Sequence, residues 1–418
     1  MIYSTSHIDP GLRLKDGIGF LRQGRLQEAW QALNEVLVVD PDNAMAHQLC
    51  GLVLLQAGQR EEGIDALRRA VALDPRDATA HGNLANALRD ACAYEEALHA
   101  VDRALALNRG FADAMLTRGN ILLDLDRPAE ALAMYDQVLA GQPRLVGALS
   151  NRGQALVHLN RHAEAVESFD KAIVLNPDFP EIRVNCGYAR LAIGDYAAGL
   201  EQFEWRWRSR ILSQYLETRN FGVPFWRGEQ ALEGKTLLLH SEQGFGDILQ
   251  FCRYAPLAAA RGAVVIVEVQ APLVELMRTL PGVSQVIEYG KPVPPIDLHC
   301  PMMSLPFAFG TRIDTIPGRT PYLFADPVKT AQWRERLGPR TRPRVGLAWS
   351  SGVRPDQPEL RSVNGRRNIP LDRLRRLNGT EVDFHSLQKG QPAEGEFAAL
   401  DRSAWDGPAI VDLSLIHI

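Results

Sequence analysis

The chain has 418 residues, of which 46% are hydrophobic and 23% are charged, and its formal net charge is −4. This length suits two or three domains with buried cores, and the small negative charge excludes a general attraction to nucleic acid or anionic lipid. The N-terminus lacks the apolar segment of a signal peptide, and no apolar run is long enough to predict a membrane span.

The cysteines and histidines argue against disulfide and metal chemistry. An odd number of scattered cysteines without a CxxC pair is typical of reduced thiols in a cytoplasmic protein. These cysteines are Cys50, Cys92, Cys186, Cys252 and Cys300. The histidines have no paired spacing that would suit a metal ion, so we expect no metal site and a cytoplasmic location.

The first half of the chain is an internal repeat. One series of small residues recurs every 34 positions, at Gly17, Gly51, Ala85, Gly119, Gly153 and Gly187, and a second at Ala29, Gly63, Ala97, Ala131, Ala165 and Gly199. A period of about 34 is that of tetratricopeptide repeats, in which two antiparallel helices cross at small residues. We predict six units between about Pro10 and Arg210, within an array spanning 10–213. The resemblance implies a right-handed superhelix with a concave groove.

The remaining repeat positions have physical explanations. Asp-Pro and Asn-Pro pairs end the second helix of a unit because proline cannot continue a helix. Large apolar residues are expected to fill the interior, at Leu67, Tyr135, Phe169 and Phe203. The sixth unit, QFEWRWRSR, carries Arg206 where a small residue is usual and lacks the closing proline. We interpret it as a cap or a junction to the next domain.

A row of amide side chains is predicted along the first helices of the repeats. Asn83 and Asn86 are three residues apart and share a helix face, and matching positions hold Asn120, Asn151 and Asn185. Asparagine both donates and accepts hydrogen bonds, which suits an extended peptide backbone. The row is similar to the asparagine ladder of O-linked N-acetylglucosamine transferases, and this implies a protein or peptide acceptor. The alternative is that these are ordinary solvated polar positions.

The sequence of the second half predicts alternating strands and helices. The predicted fold class of the whole chain is therefore α + α/β, with a helical repeat array followed by α/β lobes. Residues 214–234 form a linker, and KTLLLH, VVIVEV, SQVIEYG and DLHC are candidate strands that alternate with helices in a first Rossmann-like lobe, 235–330. An arginine-rich connector, 331–343, leads to a second lobe, 344–418, with candidate strands at RVGLAW and EVDFHSL.

The stretch HSEQGFGDILQF reads as a strand end, a glycine turn and a helix start. A dinucleotide site of the GxGxxG type would use Gly244 and Gly246, with Glu268 on the ribose, but Leu249 stands at the third glycine position. A phosphate-binding loop at residues 234–236 is excluded because it precedes its strand. A DxD metal motif at 124–126 is excluded because it falls within a repeat.

This stretch also resembles the start of heptosyltransferase-like glycosyltransferases, which have the two-lobed GT-B fold. The resemblance rests on GFGDILQFCRYAPLAAARG, IDLHCPMMSLPFAFGT, TPYL and RVGLAWSSG…RRNIPL, together with the preceding repeat array. It implies that Asp247 is the general base that deprotonates an acceptor hydroxyl, with Gly244 and Gly246 allowing the backbone to approach a sugar or phosphate. The alternative for Asp247 is a helix N-cap.

The resemblance also implies a donor site for a nucleotide sugar, the only co-substrate expected. Arg367 would bind the diphosphate, because a guanidinium donates two hydrogen bonds in a fixed fork. Ser350 and Ser351 would add donors, and Gln388 would contact the nucleoside. Arg367 could instead be a surface arginine, and His240 could either face the cleft or pack in the core.

The function expected from the resemblance is an inverting, metal-independent glycosyltransferase whose repeat array recruits a protein or peptide. The chain ends before the second lobe of that family would be complete, and LSLIHI departs from the family pattern. We therefore expect an inactive fragment of a longer bacterial enzyme. The alternative is a non-enzymatic interaction scaffold with a degenerate α/β module.

Overall fold

The computed structural model describes residues 9–209, 219–242, 244–350, 368–391, 393–400, 407 and 409–412. By compactness the chain divides into two units, one made of Met1–Ala155 with Arg342–Ile418 and the other of Leu156–Thr341. Ser351, Arg367 and the LSLIHI tail lie outside the described residues. The domain limits expected from the sequence remain predictions.

Helical hairpins occupy residues 10–203. Their helices are α1 Pro10–Arg22, α2 Leu26–Val39, α3 Ala44–Gln56, α4 Arg60–Leu73, α5 Ala78–Asp90, α6 Tyr94–Leu107, α7 Ala112–Asp124, α8 Pro128–Gly141, α9 Val146–His158, α10 His162–Leu175, α11 Pro180–Ala192 and α12 Tyr196–Phe203. Within the described residues, α1 packs with α2, α3 with α4, α5 with α6, α7 with α8 and α11 with α12. The helical repeat predicted from the 34-residue spacing is confirmed.

The Asp-Pro and Asn-Pro pairs end the second helices as predicted. Helix α4 ends at Leu73, Asp74 is its C-cap, and Pro75 follows. Helix α10 ends at Leu175 in the same way, with Asn176 as its C-cap. Each cap donates its backbone N–H to a carbonyl of the last turn, and the proline after it prevents a further helical turn.

The small residues of the repeat are required by the close approach of paired helices. A Cβ at Gly51 would lie 2.7 Å from Leu67 Cγ and 2.9 Å from the Gly63 carbonyl oxygen. Leu67 is fully buried, as are Tyr135 and Phe169, so the predicted interior positions are confirmed. Because the backbone itself blocks position 51, only glycine fits there without a shift of the helices.

The turn between the two helices of a unit places one residue in the left-handed region, again every 34 positions. Glycine occupies it at Gly24, Gly58 and Gly194, but the three middle units have Cys92, Asp126 and Asn160, with φ of 59°, 59° and 58°. Aspartate and asparagine tolerate this conformation better than most residues, whereas cysteine has no such advantage. The unit with Cys92 therefore carries backbone strain that the glycine units avoid.

In the unit Leu156–Thr341, a 3-10 helix (Glu204–Arg208) follows α12 directly, and a parallel sheet comes after it. The sheet strands are β1 Thr236–His240, β2 Val264–Val269, β3 Val283–Glu288 and β4 Leu298–Pro301. Its helices are α13 Phe245–Phe251, α14 Ala255–Ala260, α15 Val274–Met277, α16 Leu305–Ala308 and α17 Pro327–Leu337. The strand order is β3-β2-β1-β4.

The two faces of this sheet differ. On one face Leu237, Leu239, Val265 and Val267 enter a large core with the fully buried Trp226. Alternate residues point to the other face, where Leu238 and Ile266 form only a small cluster. The main core of this unit therefore lies on the Trp226 face.

A second parallel sheet, in the order β5-β6-β7, contains β5 Arg344–Leu347, β6 Asp383–Ser386 and β7 Ile410–Asp412, with α18 Ala393–Ala398. Trp349 and Phe397 pack in its core with ring centroids 5.6 Å apart. Strand–helix alternation with parallel strands is thus found in both sheets, as the sequence predicts.

One helix prediction differs from the structure. The helix predicted to follow the glycine turn is divided into α13, a 3-10 turn at Cys252–Tyr254, and α14. Pro256 explains the division, because it has no N–H to donate to the turn before it. Helix α17 includes the first part of the expected connector, 331–343, and its N-cap Asp326 accepts a hydrogen bond from the Lys329 backbone N–H. Within the described ranges, no helix combines the length and the apolar character needed to cross a membrane.

Candidate functional site

The predicted amide row is connected by hydrogen bonds between neighbouring repeats. The Thr117 hydroxyl on α7 lies 2.9 Å from Asn86 Oδ1 on α5. One repeat further, Asn151 Nδ2 donates to Asn120 Oδ1 at 2.8 Å, and the Tyr135 hydroxyl donates to the same oxygen at 2.7 Å. Asn120 Oδ1 thus accepts two hydrogen bonds, whereas Asn120 Nδ2 has no hydrogen-bond partner among the described residues. This nitrogen can donate to an incoming acceptor.

Asn83 and Asn86 line a surface pocket of about 430 Å³ between α3 and α5. Its lining residues are Leu52, Leu55, Gly58, Arg60, Asn83, Asn86, Ala87 and Asp90. The pocket therefore combines an apolar wall from α3, amides from α5, and one exposed charge of each sign. Such a mixed lining suits a peptide residue, because the apolar wall can contact its side chain while the amides bond to its backbone.

Asn185 lies on α11 in the unit Leu156–Thr341, where it is half-buried. Its neighbour one turn later, Tyr188, is 49% exposed and packs on Phe203 with ring centroids 5.3 Å apart. Burial raises the pKa of Tyr188, and the negative charges of Asp247 and Glu242 raise it further, while Arg206 lowers it. Tyr188 therefore lies within electrostatic range of the glycine turn.

The glycine turn lies where the strand order of the sheet reverses. From β1 the chain proceeds to β2 and β3 on one side and then returns to β4 on the other side. In open parallel sheets, ligands bind outside the carboxyl ends of the strands at such a switch point. Helix α13, with Gly244 as its N-cap and Asp247 in its first turn, follows β1, and a 3-10 turn at Met302–Ser304 follows β4. The position is thus one at which α/β proteins bind ligands.

The N-cap interpretation of Asp247 is wrong. Gly244 is the N-cap of α13, and Asp247 is the third helical residue, with no side-chain capping hydrogen bond at this end. The Asp247 side chain is half-buried. Gly244 has φ −70°, and a Cβ added to Gly246 would meet nothing within 4 Å. Neither backbone conformation nor packing therefore requires glycine at these two exposed positions.

The structure also disfavours the dinucleotide interpretation. Glu268 is 1% exposed and forms an ion pair with Arg219, so its carboxylate is not available for a ribose hydroxyl. His240 packs in the interior, where its Nε2 lies 3.1 Å from His299 Nδ1. Burial holds the pKa of His240 well below its usual value and lowers that of His299 to about 4. Both imidazoles are neutral at pH 7 and serve as core residues.

Gln388 is used as a structural brace. It is 3% exposed, and its Oε1 accepts hydrogen bonds from the backbone N–H groups of Trp349 (3.0 Å) and Ser350 (2.9 Å). Its Nε2 donates to the carbonyl oxygens of Ser350 and Lys389, each at 2.9 Å. Both ends of the amide are therefore engaged, and the expected direct contact with a nucleoside would require these bonds to break. The other two donor-site candidates, Ser351 and Arg367, lie outside the described residues.

Four residues near the glycine turn were not singled out as a site from the sequence. Glu204 and Arg206 belong to the 3-10 helix after α12, Glu242 follows β1, and Ser304 follows β4. Together they form a buried polar cluster in which Arg206 donates to Glu204, Glu242 and Ser304. The only sequence signal was the arginine at a small-residue position in QFEWRWRSR. No group of three potential metal ligands occurs among the residues that the structure describes.

Comparison with known proteins supports the repeat assignment. The tetratricopeptide repeat family matches residues 49–114 and 116–180, and this part of the chain is a tetratricopeptide repeat array. Protein FlbA of Caulobacter vibrioides is 29% identical over 168 residues, which are 35% of this chain. The chain covers 28% of the length of that relative.

Several solved structures are similar to the chain. MamA is 25% identical, with 40% of this chain and 92% of MamA covered and a TM-score of 0.36. PilW, a type IV pilus biogenesis factor, is 17% identical, with 50% and 100% covered and a TM-score of 0.46. YrrB, described as a TPR protein with an unusual peptide-binding site, is 19% identical, with 46% and 100% covered and a TM-score of 0.36.

Proposed function

We propose that the repeat array is an interaction scaffold that binds an extended segment of a partner protein along the amide row. The bonds that join Asn86 to Thr117 and Asn120 to Asn151 support this proposal. They join side chains of neighbouring repeats and occupy Asn120 Oδ1, which leaves the Asn120 Nδ2 as a donor. Extended backbone presents carbonyl oxygens at regular intervals, and a row of amide donors is complementary to it.

The pocket beside Asn83 and Asn86 would make the array selective for particular side chains of the bound segment. Leu52 and Leu55 provide an apolar wall, so an apolar side chain of the bound segment would be anchored there. The hydrogen bonds of Asn83 and Asn86 would then orient the backbone on either side of that anchor. Arg60 and Asp90, both exposed on the rim, would favour a segment with complementary charges flanking its apolar residue.

Selection from a displayed library of random linear peptides tests the scaffold function. The affinity of selected peptides is then compared between wild type and the double variant Asn83→Ala, Asn86→Ala. Each amide hydrogen bond contributes about 0.5–1.5 kcal/mol, so the double variant should bind about tenfold more weakly. Gln137→Ala, an exposed position on the second helix of its repeat, is the matched control. Equal affinity for all three proteins would contradict binding along the row.

A second candidate function is glycosyl transfer at the glycine turn. It is supported by the half-buried carboxylate of Asp247 at the switch point, with no capping role for its side chain. In this proposal Asp247 accepts the proton of an acceptor hydroxyl as the hydroxyl oxygen attacks the anomeric carbon. The bond to the nucleoside diphosphate breaks, and the diphosphate leaves with the bonding electron pair. Gly244 and Gly246 leave the backbone accessible to the sugar.

On the donor side, the resemblance assigns the diphosphate to Arg367, Ser350 and Ser351. Gln388 takes a different part in this proposal, because its amide already holds the Ser350 backbone from both sides. It would shape the loop after β5 without touching the nucleoside. The sugar and the base of the nucleotide are left open by this assignment.

Saturation binding of UDP, GDP and ADP tests the transferase candidate. A nucleotide that binds should bind more weakly to Arg367→Ala. The Asp247→Asn variant should keep nucleotide binding and lose any sugar transfer that the wild type shows, whereas the control Asp314→Asn, at an exposed surface pair, should match the wild type in both. Absence of binding for all three nucleotides would overturn the transferase candidate and leave the peptide scaffold intact.

A further inference from the structure

The buried cluster between the last helical hairpin and the glycine turn has the composition of a proton-binding site. Glu204 and Arg206 are 8% and 2% exposed, Ser304 is 1% exposed, and the Glu242 side chain is 1% exposed. All four are polar or charged groups withdrawn from water. Such groups are stable in the interior only when their charges and hydrogen bonds are satisfied by one another.

The cluster is closed by short hydrogen bonds around one guanidinium. Arg206 Nη1 donates to Glu204 Oε1 at 2.5 Å, and its Nη2 donates to Glu242 Oε1 at 3.0 Å and to Ser304 Oγ at 2.7 Å. The Ser304 hydroxyl lies 2.9 Å from Glu204 Oε1, and the Trp207 indole N–H donates to Ser304 Oγ at 3.3 Å. Residues from the 3-10 helix, from the turn after β1 and from the turn after β4 thus meet at Arg206.

The charges in this cluster do not balance when every group is ionised. Two carboxylates face one guanidinium, and Asp247 on α13 adds another negative charge nearby. Tyr188 on α11 and the Cys300 thiol on β4 also interact electrostatically with the cluster, and Arg227 adds a positive charge near Cys300. One bound proton would make the Glu204, Arg206 and Glu242 set neutral. Without it, an uncompensated negative charge is buried.

We propose that Glu204, Arg206, Glu242 and Ser304 form a proton-sharing clamp that ties the glycine turn to the last helical hairpin and weakens when its proton is lost. The clamp explains why an arginine occupies position 206, where the repeat usually has a small residue. It also connects the end of the array, through Glu242, to the segment that leads into α13 and Asp247, independently of whether Asp247 has a catalytic function.

The direction of the pH effect follows from Glu242. Burial raises the pKa of its carboxyl to about 7, the charges of Glu204 and Asp247 add to this, and Arg206 opposes it. Because the folded pKa lies above the ordinary value of 4.5, the folded protein holds a proton that the unfolded chain releases. The stabilisation is complete below the ordinary value and is lost as the pH rises to the folded value. The clamp therefore weakens between about pH 4.5 and about pH 7.

Thermal unfolding of Glu242→Gln and Glu268→Gln at about pH 5 and about pH 8 tests the clamp. Glutamine resembles the protonated carboxyl, so Glu242→Gln should unfold near the wild-type temperature at the lower pH and above it at the higher pH. Glu268 is the matched control, since its side chain is equally buried and forms an ion pair with Arg219. Its replacement removes the carboxylate from this buried ion pair and should lower the unfolding temperature at both pH values.

Glu242→Gln would contradict the clamp if it lowered the unfolding temperature at the higher pH as Glu268→Gln does, because Glu242 would then be the ionised partner of Arg206. Infrared spectroscopy of the wild type tests for the bound proton directly and does not depend on whether a variant folds. A protonated carboxyl C=O band that is present at about pH 6 and is lost as the pH rises through about 7 is expected. A spectrum without such a band at about pH 6 would overturn the proposal.

Discussion

The helical array and the sheet of the unit Leu156–Thr341 are stabilised by contacts of different range. In the array, the bonds of the amide row join residues 15 or 31 positions apart, such as Tyr135 and Asn120 or Asn151 and Asn120. In the α/β part, Arg206 bonds to Ser304, 98 positions away. Contacts between neighbouring repeats recur with the 34-residue period and can be predicted from the sequence. A contact between distant segments occurs once, and it can be recognised only in the three-dimensional structure.

This difference predicts how far damage spreads from a core substitution. Trp226→Ala removes a fully buried ring in the sheet core and should lower the free energy of unfolding by about 3–5 kcal/mol. Protection of strands β1–β4 from amide exchange should fall together, because the sheet core is shared. Leu67→Ala in the array should cost about 2–5 kcal/mol but loosen mainly α3–α6. Loss of protection throughout residues 10–155 in Leu67→Ala would contradict this local character.

Close helix packing predicts a smaller loss. Gly51→Ala would bring a Cβ to 2.7 Å from Leu67 Cγ and 2.9 Å from the Gly63 carbonyl oxygen, so it should cost about 1–3 kcal/mol in denaturant unfolding. The control is Gly19→Ala in α1, where a Cβ meets nothing within 4 Å. Alanine is the better helix former there and should add up to about 1 kcal/mol. Similar losses at both glycines would show that the close approach at Gly51 is not what the repeat requires.

The left-handed turn position predicts the smallest effects. Gly58→Ala places a Cβ in the left-handed region, at φ 83°, and should destabilise the second repeat by about 1–2 kcal/mol. Cys92→Gly makes the reverse change one repeat later. It relieves strain but adds flexibility to the unfolded chain, so a gain below about 1 kcal/mol is expected. If unfolding measurements found that Cys92→Gly costs as much as Gly58→Ala, backbone strain would not distinguish the repeats.

The array can be predicted well from the sequence because the small and large apolar residues that define each repeat lie within single helices. The 34-residue spacing gives the hairpins, and the buried Leu67 and Tyr135 follow from the same pattern. The alignment of Asn86 with Thr117, and of Asn120 with Asn151, also follows from the period once the repeats stack. Cys92 at a left-handed position could not be predicted from residue type, because cysteine does not favour that conformation.

The α/β part is predicted in its strands but not in its side-chain partners. Asp247 has the residue type of an N-cap, yet Gly244 takes that position because the helix begins three residues earlier than the cap interpretation requires. Gln388 was expected to face a nucleoside, but its amide braces the Ser350 loop. These outcomes depend on backbone groups brought together by the fold, and no spacing in the sequence encodes them.

Site-specific photocrosslinking tests the central claim, peptide binding along the amide row, most directly. A photoreactive side chain replaces Asn86 in one variant and the exposed Gln137 in another, and each is irradiated with a peptide selected on the wild type. The account predicts a crosslinked peptide at position 86 and none at position 137. Equal crosslinking at both positions, or crosslinking only at position 137, would contradict binding along the amide row.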